Sequence, residues 1–282
     1  MRLFTLTLTC ADQVGIVHAI TGVLVRYHCN IVDSSQFDDH AAKQFYMRVS
    51  FAAPDALDQR RLERDLRDVA QTFGIDWRLF DRSVSTRVML MVSKFDHCLL
   101  DLLYRMEIGE LKIEVPVIVS NHADAAKIAE RHKIEFVHLP ITPETKAAQE
   151  TKLLDLVKSH EIELVVLARY MQILSENLCR KLDQKAINIH HSFLPGFKGA
   201  KPYQQAHARG VKLIGATAHF VTADLDEGPI IEQDVARVRH DHSAGDLVAI
   251  GRDIERVVLA RAVSAFADRR ILLSGSKTIV FN

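Results

Sequence analysis

Residues 87–92 read Arg-Val-Met-Leu-Met-Val, and this short run decides the architecture of the larger part of the chain. Consecutive side chains of a strand point to opposite faces, so an unbroken apolar run has to be buried on both. Strands of that kind belong to parallel sheets covered by helices on either side. The same texture returns downstream at Glu114–Ser120, Ile134–His138 and Ile162–Leu167 (IELVVL). Helical spacing separates these runs, at Leu99–Ile108, Ala123–His132 and Thr145–His160. Ala186–His190, Leu213–Thr222 and Ile230–Val238 read as further strands, and Gly251–Phe266 as a final helix. The alternation predicts an α/β protein with an open, mostly parallel, Rossmann-like sheet and helices on both faces.

Upstream of residue 87 the pattern is different. Leu3–Thr9 alternates threonines with Phe4, Leu6 and Leu8, which predicts a half-buried strand. A turn at Asp12-Gln13-Val14-Gly15 leads into a helix over Ile16–His28. Asn30–Phe37 and Gln44–Phe51 read as two strands. Leu57, Leu62, Leu66, Val69 and Phe73 then mark an amphipathic helix, and Asp76–Phe80 a last strand. The order β-α-β-β-α-β is that of a ferredoxin-like module. Ser83–Thr86 reads as a linker, which divides the chain into residues 1–82 and 87–282.

The 282 residues carry 36 Lys+Arg against 36 Asp+Glu. That balance gives no general attraction to nucleic acid or anionic lipid. The start, MRLFTLTLTCADQ, lacks the basic head and sustained apolar run of a signal peptide, and no stretch of about 18 apolar residues predicts a membrane span. Cys10, Cys29, Cys98 and Cys179 lie far apart with no CxxC pair, which fits free thiols in a reducing cytoplasm. His240-x-His242 has no third ligand at a recognisable spacing, so no metal is expected.

The chemistry concentrates in 186–233. In Ile187-Asn188-Ile189-His190 the amide and the imidazole share one face of a strand, about 7 Å apart. Asparagine can donate to a developing oxyanion, and histidine can donate or move a proton. From spacing alone, two polar side chains satisfied inside a core fit as well. The Pro- and Gly-containing loop from Ser192 to Gly199 ends this strand, where open α/β sheets place their sites, although an ordinary connector has the same look. A strand carrying His219 then runs into the acidic turn Asp224-Leu225-Asp226-Glu227-Gly228-Pro229. A carboxylate beside a histidine suits proton transfer at a carbonyl, and a solvated turn accounts equally for any single one of these acids.

The segment NIHHSFLPGFKGAKPYQQAHARGVKLIGATAHFVTADLDEGPIIEQD resembles the formyltransferase family that uses 10-formyltetrahydrofolate. The leading module, with Asp12-Gln13-x-Gly15-Ile16-Val17 as its first turn, resembles an ACT domain. The two together, with MVSKFDHCLLDLLYR and LARYMQIL, are similar to the formyltetrahydrofolate deformylases over nearly the whole chain. The resemblance implies a formyltransferase-type catalytic domain at 87–282 and a regulatory or oligomerisation domain at 1–82. It implies hydrolysis of 10-formyltetrahydrofolate to formate and tetrahydrofolate, with no cofactor. That reaction supplies formate and balances the one-carbon pool for purine biosynthesis. It implies catalytic roles for Asn188, His190 and Asp226, with Asp224 a neighbour and His219 a supporting residue. The folate pocket falls on Leu167, Arg169, Met171, Gln172, Ile173 and Leu174, with Gly228 in the catalytic turn. Arg169 or Lys198 would meet the glutamate tail. Family modules of the ACT kind pair edge to edge and bind small amino acids, which implies a homo-oligomer and a glycine or methionine effector near Asp12, Gly15 and Asn30.

One departure matters. Where the glycinamide ribonucleotide transferases have a Gly-rich phosphate cradle, this chain reads Ser93-Lys94-Phe95-Asp96-His97. Without those glycines the backbone N–H groups cannot close around a phosphate, and Phe95 and Asp96 disfavour a phosphorylated acceptor. Water is then left as the formyl acceptor, the alternative being an unphosphorylated amine.

Overall fold

A computed structural model describes residues 1–196 and 202–282. The chain divides into two units, Met1–Ser85 with Ile279–Asn282, and Thr86–Thr278. Thr86, read from sequence as the end of the linker, is already paired in the first strand of the second unit.

The first unit runs β1 (Arg2–Ala11), α1 (Ile16–Arg26), β2 (Asn30–Asp39), β3 (Gln44–Ala53), α2 (Gln59–Phe73) and β4 (Asp76–Asp81). The sheet order is β2-β3-β1-β4, with every neighbouring pair antiparallel. Phe4, Leu6 and Leu8 of β1 join Ile16, Ile20, Leu24, Leu62 and Leu66 of the two helices in one core. β1 is buried on both faces, not half-buried as its alternation predicts: Thr5 and Thr7 are enclosed as well. Thr5 lies between Phe80 and Ser50, whose hydroxyl is 3.0 Å from its own, and Thr7 between Arg48 and Arg78, so bulkier residues flank the small threonines on at least one side. β2 is an exposed edge strand of ten residues, with Ile31, Val32 and Phe37 open.

The second unit contains β5 (Thr86–Val92), α3 (His97–Glu107), β6 (Ile113–Ser120), α4 (Ala126–His132), β7 (Glu135–His138), α5 (Lys146–Ser159), β8 (Leu164–Leu167), α6 (Glu176–Lys181), β9 (Ala186–His190), α7 (Pro202–Ala208), β10 (Leu213–Phe220), β11 (Ile230–Arg237) and α8 (Ala244–Ala267). The seven-stranded sheet has the order β11-β10-β9-β8-β5-β6-β7. β9, β8, β5, β6 and β7 are parallel, and β10 is reversed between β9 and β11. β5 is buried on both faces: Met89 and Met91 pack with Leu153 of α5 and Leu178 of α6, while Val88, Leu90 and Val92 turn the other way. α3 and α8 pack together, and α8 covers β9, β10 and β11.

Sequence reading placed the start of α8 at Gly251, seven residues late. Ser243 and Asp246 form a reciprocal capping box that starts the helix at Ala244. The short helices α6 and α7, and the hairpin β12 (Ile271–Ser274) and β13 (Lys277–Val280), were not anticipated. They are too brief to show a period. No helix among the described residues is long and apolar enough to cross a membrane.

After β6 and β7 are laid down on one side of β5, the chain returns to place β8 on the other side. The strand order therefore reverses between β5 and β8, which is where such sheets open a crevice at their carboxyl ends. Three segments meet there: the loop after β5, the loop after β8, and the turn between β10 and β11. That turn is drawn tight, with Phe220 N–H donating to the Pro229 carbonyl at 2.9 Å. Gly228 sits against the strand it has just left: a Cβ there would lie 1.8 Å from the Phe220 carbonyl oxygen. Gly228→Ala should therefore force the turn apart and cost at least about 2 kcal/mol, read as a lower urea midpoint at unchanged m-value.

Candidate active site

β9 and β10 set the centre of the site by register alone. Antiparallel pairing places His219 opposite Asn188 and Thr217 opposite His190, so all four side chains share one face. Thr217 is a fastener. Its hydroxyl donates to the Ser192 carbonyl at 3.0 Å and accepts from Leu194 N–H at 3.0 Å, which ties down the loop after β9. Across the hairpin, Asp226 turns back towards the same face from a left-handed backbone position, φ 58°. Aspartate tolerates that region better than most residues, and a strained residue in a turn is a recurrent feature of working sites.

Asp226 Oδ1 lies 3.2 Å from His190 Nδ1 and 3.6 Å from His219 Nε2. Burial pushes this carboxyl up, but hydrogen bonds and charge from His190 and then His219 outweigh it and hold the group well below the ordinary carboxylate range. His219 Nδ1 faces the carbonyl oxygen of Phe220 at 2.9 Å, so this nitrogen carries a proton. In a neutral ring Nε2 accepts from Asn188 Nδ2 at 3.2 Å, and in a charged ring it donates to Asp226 instead. Either way at least one amide N–H of Asn188 is left available. His190 Nε2 is buried with no hydrogen-bond partner among the described residues. With Nδ1 anchored on a carboxylate, this Nε2 accepts a hydrogen bond when the ring is neutral and donates one when it is protonated, and it faces no competing partner.

These four residues line a cavity of about 700 Å³, together with Leu167, Arg169, Met171, Gln172, Ile173 and Leu174 of the loop after β8. The structure thus brings the sequence-derived catalytic and pocket residues to one space, with two corrections. Gly228 is not among the lining residues, and its part is the close backbone approach described above. Arg169 is buried and not exposed at the mouth, with Nε and Nη1 lacking hydrogen-bond partners among the described residues. It is 9% exposed, with Nε 3.4 Å from Glu255 and its guanidinium 5.6 Å from the centre of the Phe95 ring. Lys198 lies outside the described residues. Met171 and Ile173 are exposed, at 51% and 62%, an apolar rim open to a ligand. The loops after β5 and β8 are stitched together, since Ser93 N–H donates to the Arg169 carbonyl at 3.2 Å and Ser93 Oγ accepts from Met171 N–H at 2.9 Å.

A second polar wall escaped sequence reading. Glu255 of α8 is 1% exposed and accepts from Tyr203 Oη at 2.7 Å and from His97 Nε2 at 2.9 Å. Burial raises its pKa, but His97 and the Arg169 charge outweigh burial and keep it ionised. Gly251, one turn earlier, makes room: a Cβ there would be 2.1 Å from the Tyr203 ring. The signal was present in the sequence, since Leu247, Gly251, Glu255 and Val258 form one buried stripe with a single acid in it. His97, Cys98 and Glu255 are also close enough to suggest a metal, their ligand atoms lying within 4.8 Å. However, both Glu255 oxygens already accept hydrogen bonds, and burial followed by the Glu255 charge drives the Cys98 thiol well above its usual pKa. That is poor chemistry for a thiolate ligand.

The effector residues of the first unit are not adjacent. Asp12 and Gly15 flank the end of β1, whereas Asn30 opens β2 at the level of Leu3, since both pair with Ala52. The length of α1 separates them within one chain.

Comparison with known proteins agrees with this geometry. Residues 86–263 match the formyl transferase family and residues 2–79 the ACT domain family. The formyltetrahydrofolate deformylase of Corynebacterium sp. (strain P-1) is 52% identical over 278 residues, covering 98% of this chain and 96% of that protein. That of Synechocystis sp. is 48% identical, covering 98% of each. The crystal structure of the deformylase from Burkholderia mallei superposes with a TM-score of 0.96 at 52% identity over 100% of both chains.

The depressed pKa of Asp226 has a consequence for stability. A carboxyl whose native pKa lies below its unfolded value of about 3.9 stabilises the fold above that value, and loses the contribution as pH falls through the native one. Wild type should therefore be more stable than Asp226→Asn at neutral pH, and thermal melts should show the gap closing as pH falls below about 4.

Proposed function

The chain belongs to the formyltetrahydrofolate deformylases, and from that premise we propose how its own residues hydrolyse 10-formyltetrahydrofolate to formate and tetrahydrofolate. The observation that carries the mechanism is the convergence of Asn188, His190 and Asp226 on one cavity with a buried, unpartnered His190 Nε2. Water adds to the formyl carbon. His190, protonated and anchored through Nδ1 on Asp226, donates from Nε2 to the developing oxyanion, and Asn188 donates its second N–H. Asp226 orients both His190 and the water. Asp226 takes one proton from the water as it adds, His190 gives its Nε2 proton to N10 as the C–N10 bond breaks, the proton on Asp226 then restores His190, and the second water proton leaves when the formic acid ionises. Asp226, kept ionised at rest by the imidazoles beside it, orients His190 and the water and holds the proton only in passing. Transfer to an amine is the less favoured outcome, since the relatives are named for deformylation.

The substrate pocket comprises Leu167 to Leu174, with apolar contacts from Met171, Ile173 and Leu174 and backbone groups reading the pterin. Residues 87–282 form the catalytic domain, and residues 1–82 a regulatory module that assembles the homo-oligomer. The enzyme works in the cytoplasm, supplying formate to one-carbon metabolism and purine biosynthesis. The long exposed edge of β2 supports the assembly. Antiparallel pairing of two such edges sets Asn30 of one copy level with Asp39 of the other, and hence with Gln44 and Ala11 in that copy's sheet. That arrangement sets Asn30 at the same end of the paired sheet as Asp12 and Gly15 of the other copy, three strand spacings or about 14 Å away, and we assign the glycine or methionine effector to this end of the seam.

Wild-type enzyme should release formate from 10-formyltetrahydrofolate with no added amine. His190→Ala or Asp226→Asn should lower kcat by at least about a hundredfold while folate still binds, and near-wild-type turnover would remove that residue from the mechanism. Titration calorimetry with glycine and with methionine should give heat for the full chain, and its loss in Asn30→Ala would place the effector at the β2 edge.

A further inference from the structure

Beside His190 stands a second imidazole to which nothing above gives a part. The ring of His191 stacks on that of His190, with centroids 5.2 Å apart and planes inclined by 26°. On its far side it meets the Tyr203 ring at 6.2 Å. It lines the same cavity as Asn188, His190 and Asp226. Neither of its ring nitrogens has a hydrogen-bond partner among the described residues, while His190 Nδ1 is engaged with Asp226, His219 with Asn188, and Tyr203 with Glu255.

Its surroundings keep it uncharged. Burial, then Arg169, then His190 lower its pKa to about 4, while Glu255 and Asp226 pull weakly the other way. The groups that face it thus come from every side: His190 on β9, Asp226 in the β10–β11 turn, Arg169 after β8, and Glu255 and Tyr203 on the helices α8 and α7. A neutral imidazole keeps one nitrogen lone pair, so this ring is a hydrogen-bond acceptor at any pH at which the enzyme works.

The need for such an acceptor follows from the nucleophile. Water attacks through an oxygen lone pair, so holding it in line requires both of its hydrogens to be directed elsewhere. Asn188 and His190 are donors on the oxyanion side and can take neither. The Asp226 carboxylate can take one. We propose that His191 is a further catalytic residue, whose ring nitrogen accepts the second hydrogen of the attacking water, with Tyr203 and Glu255 as positioning residues that hold the ring. This rests on the hydrolytic reading above and leaves its proton balance unchanged: one water proton still replaces the one given to N10 and the other leaves with formic acid. His191 receives a hydrogen bond and no net proton.

The test separates stacking from acceptance. His191→Phe keeps an aromatic ring against His190 and removes the acceptor, and His191→Gln returns an acceptor without the ring. His191→Phe should lower kcat at least about tenfold with folate KM within about threefold, an effect at the lower end for a positioned polar group, and His191→Gln should recover part of the loss. A Phe variant that turns over like wild type would overturn the proposal while leaving hydrolysis intact. Wild type that releases no formate without an amine would instead overturn the hydrolytic reading. A measurement on the unaltered protein guards against a variant that fails to fold. The ¹⁵N-histidine spectrum of the wild type should show His191 neutral from about pH 5 to pH 8, and a protonated His191 at neutral pH would sink the assignment.

Discussion

Two imidazoles share one carboxylate oxygen, and the catalytic end of the molecule is built around that arrangement. Asp226 can reach His190 and His219 together only because β10 runs antiparallel to β9 in a register that stacks their polar residues on one face. The hairpin that delivers Asp226 needs a left-handed residue at its tip and a glycine pressed against the preceding strand. Local strain at Asp226 is thus held by long-range pairing. A one-residue slip of β10 would send every one of these side chains to the opposite face.

Glu255 performs the corresponding service for the other wall. Burying a carboxylate is costly unless its oxygens are satisfied and a cation stands near. Here Tyr203 and His97 satisfy the oxygens and Arg169 supplies the charge. The result joins α8, α7, the start of α3 and the loop after β8 at one point. Through Ser93 that loop is fixed to the loop after β5, so the two sides of the topological switch form a single frame. The rigidity of the pocket comes from these polar ties as much as from its apolar lining.

How much of this could be read from residues alone depended on the range of the interaction that carried it. The buried strands announce themselves, because RVMLMV and IELVVL admit only one kind of environment. The face shared by Asn188 and His190 follows from strand geometry, and assigning them with Asp226 to catalysis came from the resemblance. The resemblance places Arg169 in the pocket, but its burial is not legible in the sequence, because that is decided with Glu255, which lies 86 positions away. Asn30 is grouped with Gly15 by the ACT resemblance, and the sequence alone does not show that the helix between them carries the chain to the far end of the sheet. Glu255 itself was legible as an acid on an apolar stripe, but only once the helix is started at its cap and not at Gly251. Short-range pattern gives elements and faces; partners that meet through the fold do not appear in it.

Much of the charge that lines the cavity is paired inside the protein. The Asp226 carboxylate is engaged by two imidazoles, Glu255 is answered by Arg169, although Arg169 keeps two buried nitrogens without a hydrogen-bond partner among the described residues, and His191 is held neutral by burial first and then by Arg169 and His190. The loop after β5, where a phosphate would need bare backbone N–H groups, instead sets Phe95 under the Arg169 guanidinium. An anionic second substrate would therefore meet in Arg169 a cation already shared with Glu255, and would lose its hydration on entering. A neutral molecule that needs only donors and acceptors avoids that loss. Water is the smallest such nucleophile, so a wall of this kind favours hydrolysis over transfer to a charged acceptor.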